Sequence, residues 1–167
     1  MLTRRAFCNA EGGILPGAMS RENLELAEAR LPDDTDVVWL IRDEEAFSRL
    51  SELISPLFTD DFESVMAFPA MNRTYPGLEG LRKNWLDWLE PWATYRSTVE
   101  DLIDVGEHVV ALLRDYGRRQ DMVTEVEVIC ATTLTFREGK VARWVDYADR
   151  AEAFRAVGLS EDARIAT

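Results

Sequence analysis

Histidine is almost missing from this 167-residue chain. The single one, His108, sits in the turn Val105-Gly106-Glu107-His108 and reads as a solvated turn residue. A Ser-His-Asp or Cys-His nucleophile and a His-based metal site are therefore not expected. Cysteine is scarce too: Cys8 lies near the start and Cys130 in an apolar run, with no CxxC and no paired spacing. That usage fits a reducing, cytoplasmic setting and gives no disulfide framework and no metal-site signal. Positive charge is in deficit, with 19 Lys and Arg against 31 Asp and Glu and a formal net charge of -12. Such a surface repels phosphate backbones and anionic lipid heads, so neither nucleic acid nor membrane is an expected partner. No apolar run approaches the length of a membrane span, and Arg4 and Arg5 are not followed by the apolar core of a secretory signal.

What is present is the composition of one globular domain, 47% hydrophobic and 30% charged. Residues 1–18, with Gly12, Gly13, Pro16 and Gly17, read as a flexible leader. Met19-Ser20-Arg21 looks like a more natural start, with Ser20 as helix N-cap. The domain is expected over 19–161, followed by a short tail at 162–167. A helix is expected over 20–31, stopped by Pro32, then an acidic turn at Asp33, Asp34 and Asp36 and a helical turn over 37–41. Asp43 caps an amphipathic helix whose apolar stripe is Ala46, Phe47, Leu50, Leu53, Ile54 and Leu57. Residues 62–68 alternate as a strand. After Pro69 and the turn Tyr75-Pro76-Gly77, a helix over 78–90 carries Leu78, Leu81, Trp85, Trp88 and Leu89 on one stripe and ends at Pro91. Such a stripe serves as core, or as a cavity wall where the core is hollow.

The second half reads as four strands over 95–105, 109–116, 123–137 and 141–147, joined by short turns into an antiparallel meander. Helices first and strands afterwards give an α+β class with helices on one face of a curved sheet. In 141–147, alternation puts Ala142, Trp144 and Asp146 on one face. Asp149, with Glu152 three residues on and Gly158 at the far end, frames a short helix and has a local reason to exist. Asp146 has none, and it stands beside a Trp on an otherwise small and apolar face.

Three segments, Tyr75-Pro76-Gly77-Leu78-Glu79-Gly80, Leu102-Ile103-Asp104-Val105-Gly106 and residues 139–159, occur in an order that resembles the SnoaL-like polyketide cyclase branch of the nuclear transport factor 2-like superfamily. The resemblance covers about residues 19–161. It implies a cone-shaped α+β barrel: a curved, mostly antiparallel sheet wrapped by about three N-terminal helices plus a short C-terminal one. It also implies a mostly apolar pocket at the open end, no cofactor, and a homodimer formed through the outer face of the sheet. Cyclases and the limonene epoxide hydrolase of this superfamily place a catalytic Asp on the last strand, and by resemblance Asp146 takes that position.

A carboxyl against Trp144 in a dry pocket has its charged form disfavoured and can both take and return a proton. Arg114, near the end of the second meander strand, is the candidate cation to hold the ionised acid or a substrate oxygen. By resemblance it matches the Arg that works between two acids in the epoxide hydrolase, where the second acid position here reads Tyr116, a hydrogen-bond donor to a carbonyl. Trp144, Tyr116, Trp85, Trp88, Tyr75 and Thr132 are the candidate ligand-binding residues. The Tyr and Asn that the epoxide hydrolase uses on its first strand are missing, as are the pocket histidines of the related dehydratases. Two alternatives stay open: Asp146 as a hydrogen-bonded structural acid, partnered by Tyr75 or Trp85, and Arg114 as an ion pair with Glu127 across the sheet. The expected function is cofactor-free acid-base chemistry on a small, largely apolar molecule. The alternative is non-catalytic carriage of a small hydrophobic ligand.

Overall fold

A computed structural model describes residues 3–6, 17–28, 31 and 34–160. Helix α1 spans Gly17–Glu28, so Met19 and Ser20 fall inside its first turn and Ser20 is not its cap. Pro32 and Asp33 lie outside the described residues. Helix α2 (Val37–Arg42) is capped by Asp36, whose carboxylate accepts from the backbone N–H of Val38 at 3.0 Å and of Tyr95 at 3.2 Å. One side chain thus starts the helix and ties it to the sheet. Helix α3 (Glu44–Ile54) begins as expected, Asp43 accepting from Ala46 N–H at 2.7 Å. Its buried face is narrower than its apolar stripe: Phe47 is buried, whereas Leu53 is 77% exposed.

After a 3-10 turn the first long strand starts earlier than its alternation suggests. Its opening residue, Phe58, packs edge-on against Phe62 with ring centroids 4.7 Å apart. With β1 at Thr3–Ala6, this strand is β2 (Phe58–Phe68), and it turns into β3 (Met71–Pro76), an edge strand the sequence reading passes over. Its Asn72, Arg73 and Thr74 are all exposed, and an edge of that kind has no apolar alternation to read. Helix α4 (Gly77–Leu89) follows at once, with Gly77 at φ +69° and Gly80 pressed onto Tyr75; a Cβ at Gly80 would sit 2.6 Å from that of Tyr75. Then come β4 (Trp92–Val105), β5 (His108–Arg119), β6 (Glu125–Arg137), β7 (Lys140–Tyr147) and α5 (Arg150–Ala156). His108 opens β5 and its ring meets Thr135 Oγ1 at 3.0 Å, so it is a paired strand residue and not a solvated turn.

The sheet order is β1-β4-β5-β6-β7-β2-β3, with the meander β4 to β7 antiparallel and β2 parallel to β7. The edge strands β1 and β3 do not pair, so the sheet curves without closing into a barrel. Thr3–Ala6, read as part of a flexible leader, pairs in parallel with β4; residues 7–16 and the tail at 162–167 lie outside the described residues. A bulge in β7 alters one more expectation: Thr135 faces Arg143 and Phe136 faces Val141, which leaves Ala142 as the extra residue. Val141 therefore shares the core with Trp144, where strict alternation puts Ala142.

Helices α1 and α4 cover the concave face over Phe62, Leu102, Leu113, Leu134 and Trp144, and α2 and α3 close one end over Leu89, Trp92 and Tyr95. Helix α5 lies on the other face, with Ala153 and Phe154 against Ile103, Val110 and Leu112. Asp149 accepts from Ala151 N–H at 2.9 Å, and Gly158 at φ +77° ends the segment, as its local signals require.

Candidate functional site

Strand pairing sets the site. On β7, Asp146 lies opposite Thr132 of β6 on one side and Met66 of β2 on the other. Its Oδ1 accepts from Thr132 Oγ1 at 2.5 Å and from Trp144 Nε1 at 2.8 Å. Oδ2 is buried and has no hydrogen-bond partner among the described residues. The residue is 6% exposed. Burial pushes its carboxyl up to about 6, against the pull of the two donors and with a further push from the charge of Asp115.

Asp115, on β5, is the second acid. Ser97 Oγ donates to its Oδ1 at 2.5 Å, while Tyr95 Oη donates to Oδ2 at 2.8 Å and Cys130 Sγ at 3.2 Å. Burial raises this carboxyl too, opposed by those three donors and by the charge of Arg150. The same burial pushes the Tyr95 hydroxyl and the Cys130 thiol well above their ordinary values, so both remain protonated donors and Cys130 is no thiolate nucleophile at neutral pH.

Both carboxyls face one pocket. Its wall is aromatic, with Phe68, Trp85, Trp88 and Tyr95, and its floor is Met66, Leu113 and Ala131. The rings brace each other edge to face, Phe68 and Trp88 at 4.7 Å and Trp88 and Tyr95 at 6.0 Å between centroids. The empty space is about 280 Å³, part of it open to solvent. That is room for a small molecule, below the span usual for drug-sized ligands.

Residues 47–144, more than half of the chain, match the model of the SnoaL-like domain. The chain belongs to the SnoaL-like domain family. Solved structures share the fold. A SnoaL-like polyketide cyclase candidate from Jannaschia is 20% identical with a TM-score of 0.60, over 87% of this chain and 97% of that one. A ketosteroid isomerase-like protein from Catenulispora acidiphila, in complex with trimethylamine, is 19% identical with a TM-score of 0.51, over 76% and 92%. An epoxide hydrolase of the limonene type from M. tuberculosis is 12% identical with a TM-score of 0.50, over 83% and 91%. At these identities the likeness concerns fold alone. Among curated proteins no sequence match is found.

Within this SnoaL-like fold the residues singled out from sequence separate into three groups. Asp146, Trp85 and Trp88 line the pocket. Trp144 and Thr132 stand behind Asp146 as its donors, where Trp85 or Tyr75 is the expected partner. Tyr75 is outside the lining, its ring under the Lys83 ammonium at 5.3 Å. Arg114 and Tyr116 require correction: strand alternation sends both to the opposite face of the sheet from Asp115. Arg114 there binds Glu100 at 2.5 Å and Glu127 at 2.6 Å, and Tyr116 lies under the Arg96 guanidinium at 4.6 Å. Asp115, Tyr95, Ser97 and Cys130 escaped the sequence reading. The phase of Val109, Ala111 and Leu113 continues inward to Asp115 and to Gly117, packed under the Trp92 ring, but Val110 and Leu112 between them are buried as well and mask it.

No cluster of His, Cys, Asp and Glu suited to a metal ion occurs among the described residues, and no described helix is long and apolar enough to cross a membrane.

Proposed function

We propose that this SnoaL-like protein is a cofactor-free enzyme that moves a proton on a small, largely apolar substrate, with Asp146 as general acid and base. The observation that carries this reading is the state of the Asp146 carboxyl. It is buried among aromatic rings, poised at about 6, and held through Oδ1 while Oδ2 is left for a substrate. Thr132 and Trp144 orient the group through Oδ1 and leave Oδ2 without a donor. Asp115 keeps a second polar point in the same pocket, anchored by three donors, and its charge lifts the pKa of Asp146. The small space favours a compact substrate or one compact end of a larger one. The trimethylamine complex of the Catenulispora protein is an instance of a small guest in this fold.

The test is carbon-acid exchange. Incubated in D2O with small ketones such as cyclopentanone, the wild type is expected to speed deuterium uptake beside the carbonyl, followed by proton NMR, with a rate inflecting near pH 6. Asp146→Asn should lower that acceleration by about 10²- to 10⁴-fold, the range of a lost general base. Equal exchange by the two proteins overturns the assignment. The predominantly apolar lining favours the second reading, non-catalytic carriage of a small hydrophobic ligand. In that case ketones bind without any exchange above background.

A further inference from the structure

The two carboxyls of the pocket have no cationic neighbour within it. Its lining contains no Lys or Arg. The nearby cations are engaged elsewhere: Lys83 and Arg73 with Asp87, and Arg82 with the Ile41 carbonyl. Arg150 acts from behind the sheet, where it donates to the carbonyls of Leu113 and Cys130 and to Glu100. Inside, Asp146 presents a buried carboxylate oxygen with no donor, which is costly to leave unmatched. The same lining holds the rings of Trp85, Trp88, Tyr95 and Phe68. A negative point set among electron-rich rings is the arrangement that holds an organic cation.

We infer that the natural ligand of this pocket carries a small alkylammonium group, its N–H donated to Asp146 Oδ2 and its apolar body held by the Trp85, Trp88 and Tyr95 rings. The inference rests on the pocket of Asp146 being the functional site and adds the charge of the molecule that enters it. A formal net charge of -12 draws cations to the protein and leaves anions at a disadvantage. A neutral molecule gains no such coulombic attraction from the ionised Asp146.

That difference makes pH the discriminator. The titratable groups facing Asp146 are Asp115 from β5, Cys130 from β6 and Tyr95 from β4, with Arg150 across the sheet. Cys130 and Tyr95 stay protonated through the neutral range, so only the two acids change charge, and both become more negative as pH rises. A cation gains affinity on ionisation of Asp146, by about tenfold per pH unit below its pKa, and reaches a plateau above about pH 6. A neutral ligand of the same shape has no charge to meet that of Asp146 and shows no such rise.

tert-Butylammonium and tert-butanol have nearly the same shape and differ in charge. Binding of each to the full-length protein is followed between pH 5 and 8 by ligand-observed NMR, with indole fluorescence of Trp85 and Trp88 as a second readout. Expected are at least about tenfold tighter binding of the ammonium than of the alcohol at pH 7.5, a rise in its affinity from pH 5 to 7, and loss of that preference in Asp146→Asn. The wild-type pH series decides the matter even where the variant folds poorly. Preference for the alcohol, or affinity for the ammonium that falls or stays flat with pH, overturns the cation assignment. If tert-butanol then binds in an Asp146-dependent manner the pocket reading survives, and if neither molecule binds while ketone exchange proceeds only the charge assignment is lost.

Discussion

Arg114 and Asp115 are adjacent in sequence and live in opposite electrostatic regimes, because one strand step carries each to a different face of the sheet. On the convex face every acid of the cluster has a cation: Glu100 lies between Arg114 and Arg150, and Glu127 meets Arg114. Burial alone would raise the Glu100 carboxyl, yet the hydrogen bonds and charges of the two arginines outweigh it and hold it below the usual carboxylate range. On the concave face, Asp115 and Asp146 have neutral donors only and are both raised. Same strands and same residue class give two outcomes, and the difference is where the arginines point. The charges of the convex cluster are matched, while the concave pair keeps a carboxylate oxygen without a donor.

The strongest way to break this comparison is to remove the cation that serves both faces. Arg150 is 14% exposed in its side chain, opens α5, and joins the carbonyls of Leu113 and Cys130 to Glu100. Arg150→Met should cost about 3 kcal/mol, from three hydrogen bonds of about 1 kcal/mol each, two to backbone carbonyls and one to the partly exposed Glu100, read as a lower midpoint in urea. It should also raise the Asp115 carboxyl further, since the Arg150 charge now lowers it. A loss near zero would mean that the convex network is not what holds α5 to the sheet.

The concave acid predicts the reverse sign. The folded pKa of Asp146 is raised from 3.8 to about 6, so the stability linked to its protonated form is fully present below about pH 4 and is lost as pH rises through about 6. Two units correspond to about 3 kcal/mol as an upper value. Asp146→Asn, neutral at every pH, should therefore gain stability over the wild type at pH 8 by up to about 3 kcal/mol, with the gain shrinking toward pH 4, while exchange activity disappears. Stability curves that stay parallel across that range would show that the carboxyl is not held in its protonated form by the fold. A variant that is steadier and inactive is the signature of a site kept under strain for function.

The sequence makes these two faces unequally legible. Helix starts at Asp43 and Asp149 and the turns at Gly106 and Gly139 are local events, and the structure has them where local chemistry puts them. The meander and the place of Asp146 next to Trp144 follow from alternation in β7 past its bulge. Asp115 does not follow, because Val109, Val110, Ala111, Leu112 and Leu113 are all buried: α5 covers the outer face of β5 and α1 lies over the concave side, so apolar residues on both faces hide the phase. With the phase hidden, the sequence does not tell Arg114 from Asp115 as the inward residue. β3 escaped for the opposite reason, having too few apolar residues to show any phase, and Leu53 was misplaced because an apolar stripe states only where burial is permitted.

The smallest effect expected is at Arg114, the residue whose face the sequence misjudged. Its two carboxylate partners are about one-third or more exposed, and Glu100 keeps Arg150 when Arg114 is lost. Exposed pairs contribute little because water already solvates both charges and the long side chains lose freedom in pairing. Arg114→Gln should leave the urea midpoint within the scatter of repeat measurements. Arg114→Gln combined with Glu127→Gln should recover whatever small loss the single change shows. The sharper readout is the pocket: the pH at which the Asp146 carboxyl titrates, followed by carbon-13 NMR, should be unchanged, since neither Arg114 nor any group paired with it faces that acid. A shift of about one unit or more would mean that the convex charge reaches through the sheet, and the two faces would then have to be treated as one electrostatic site.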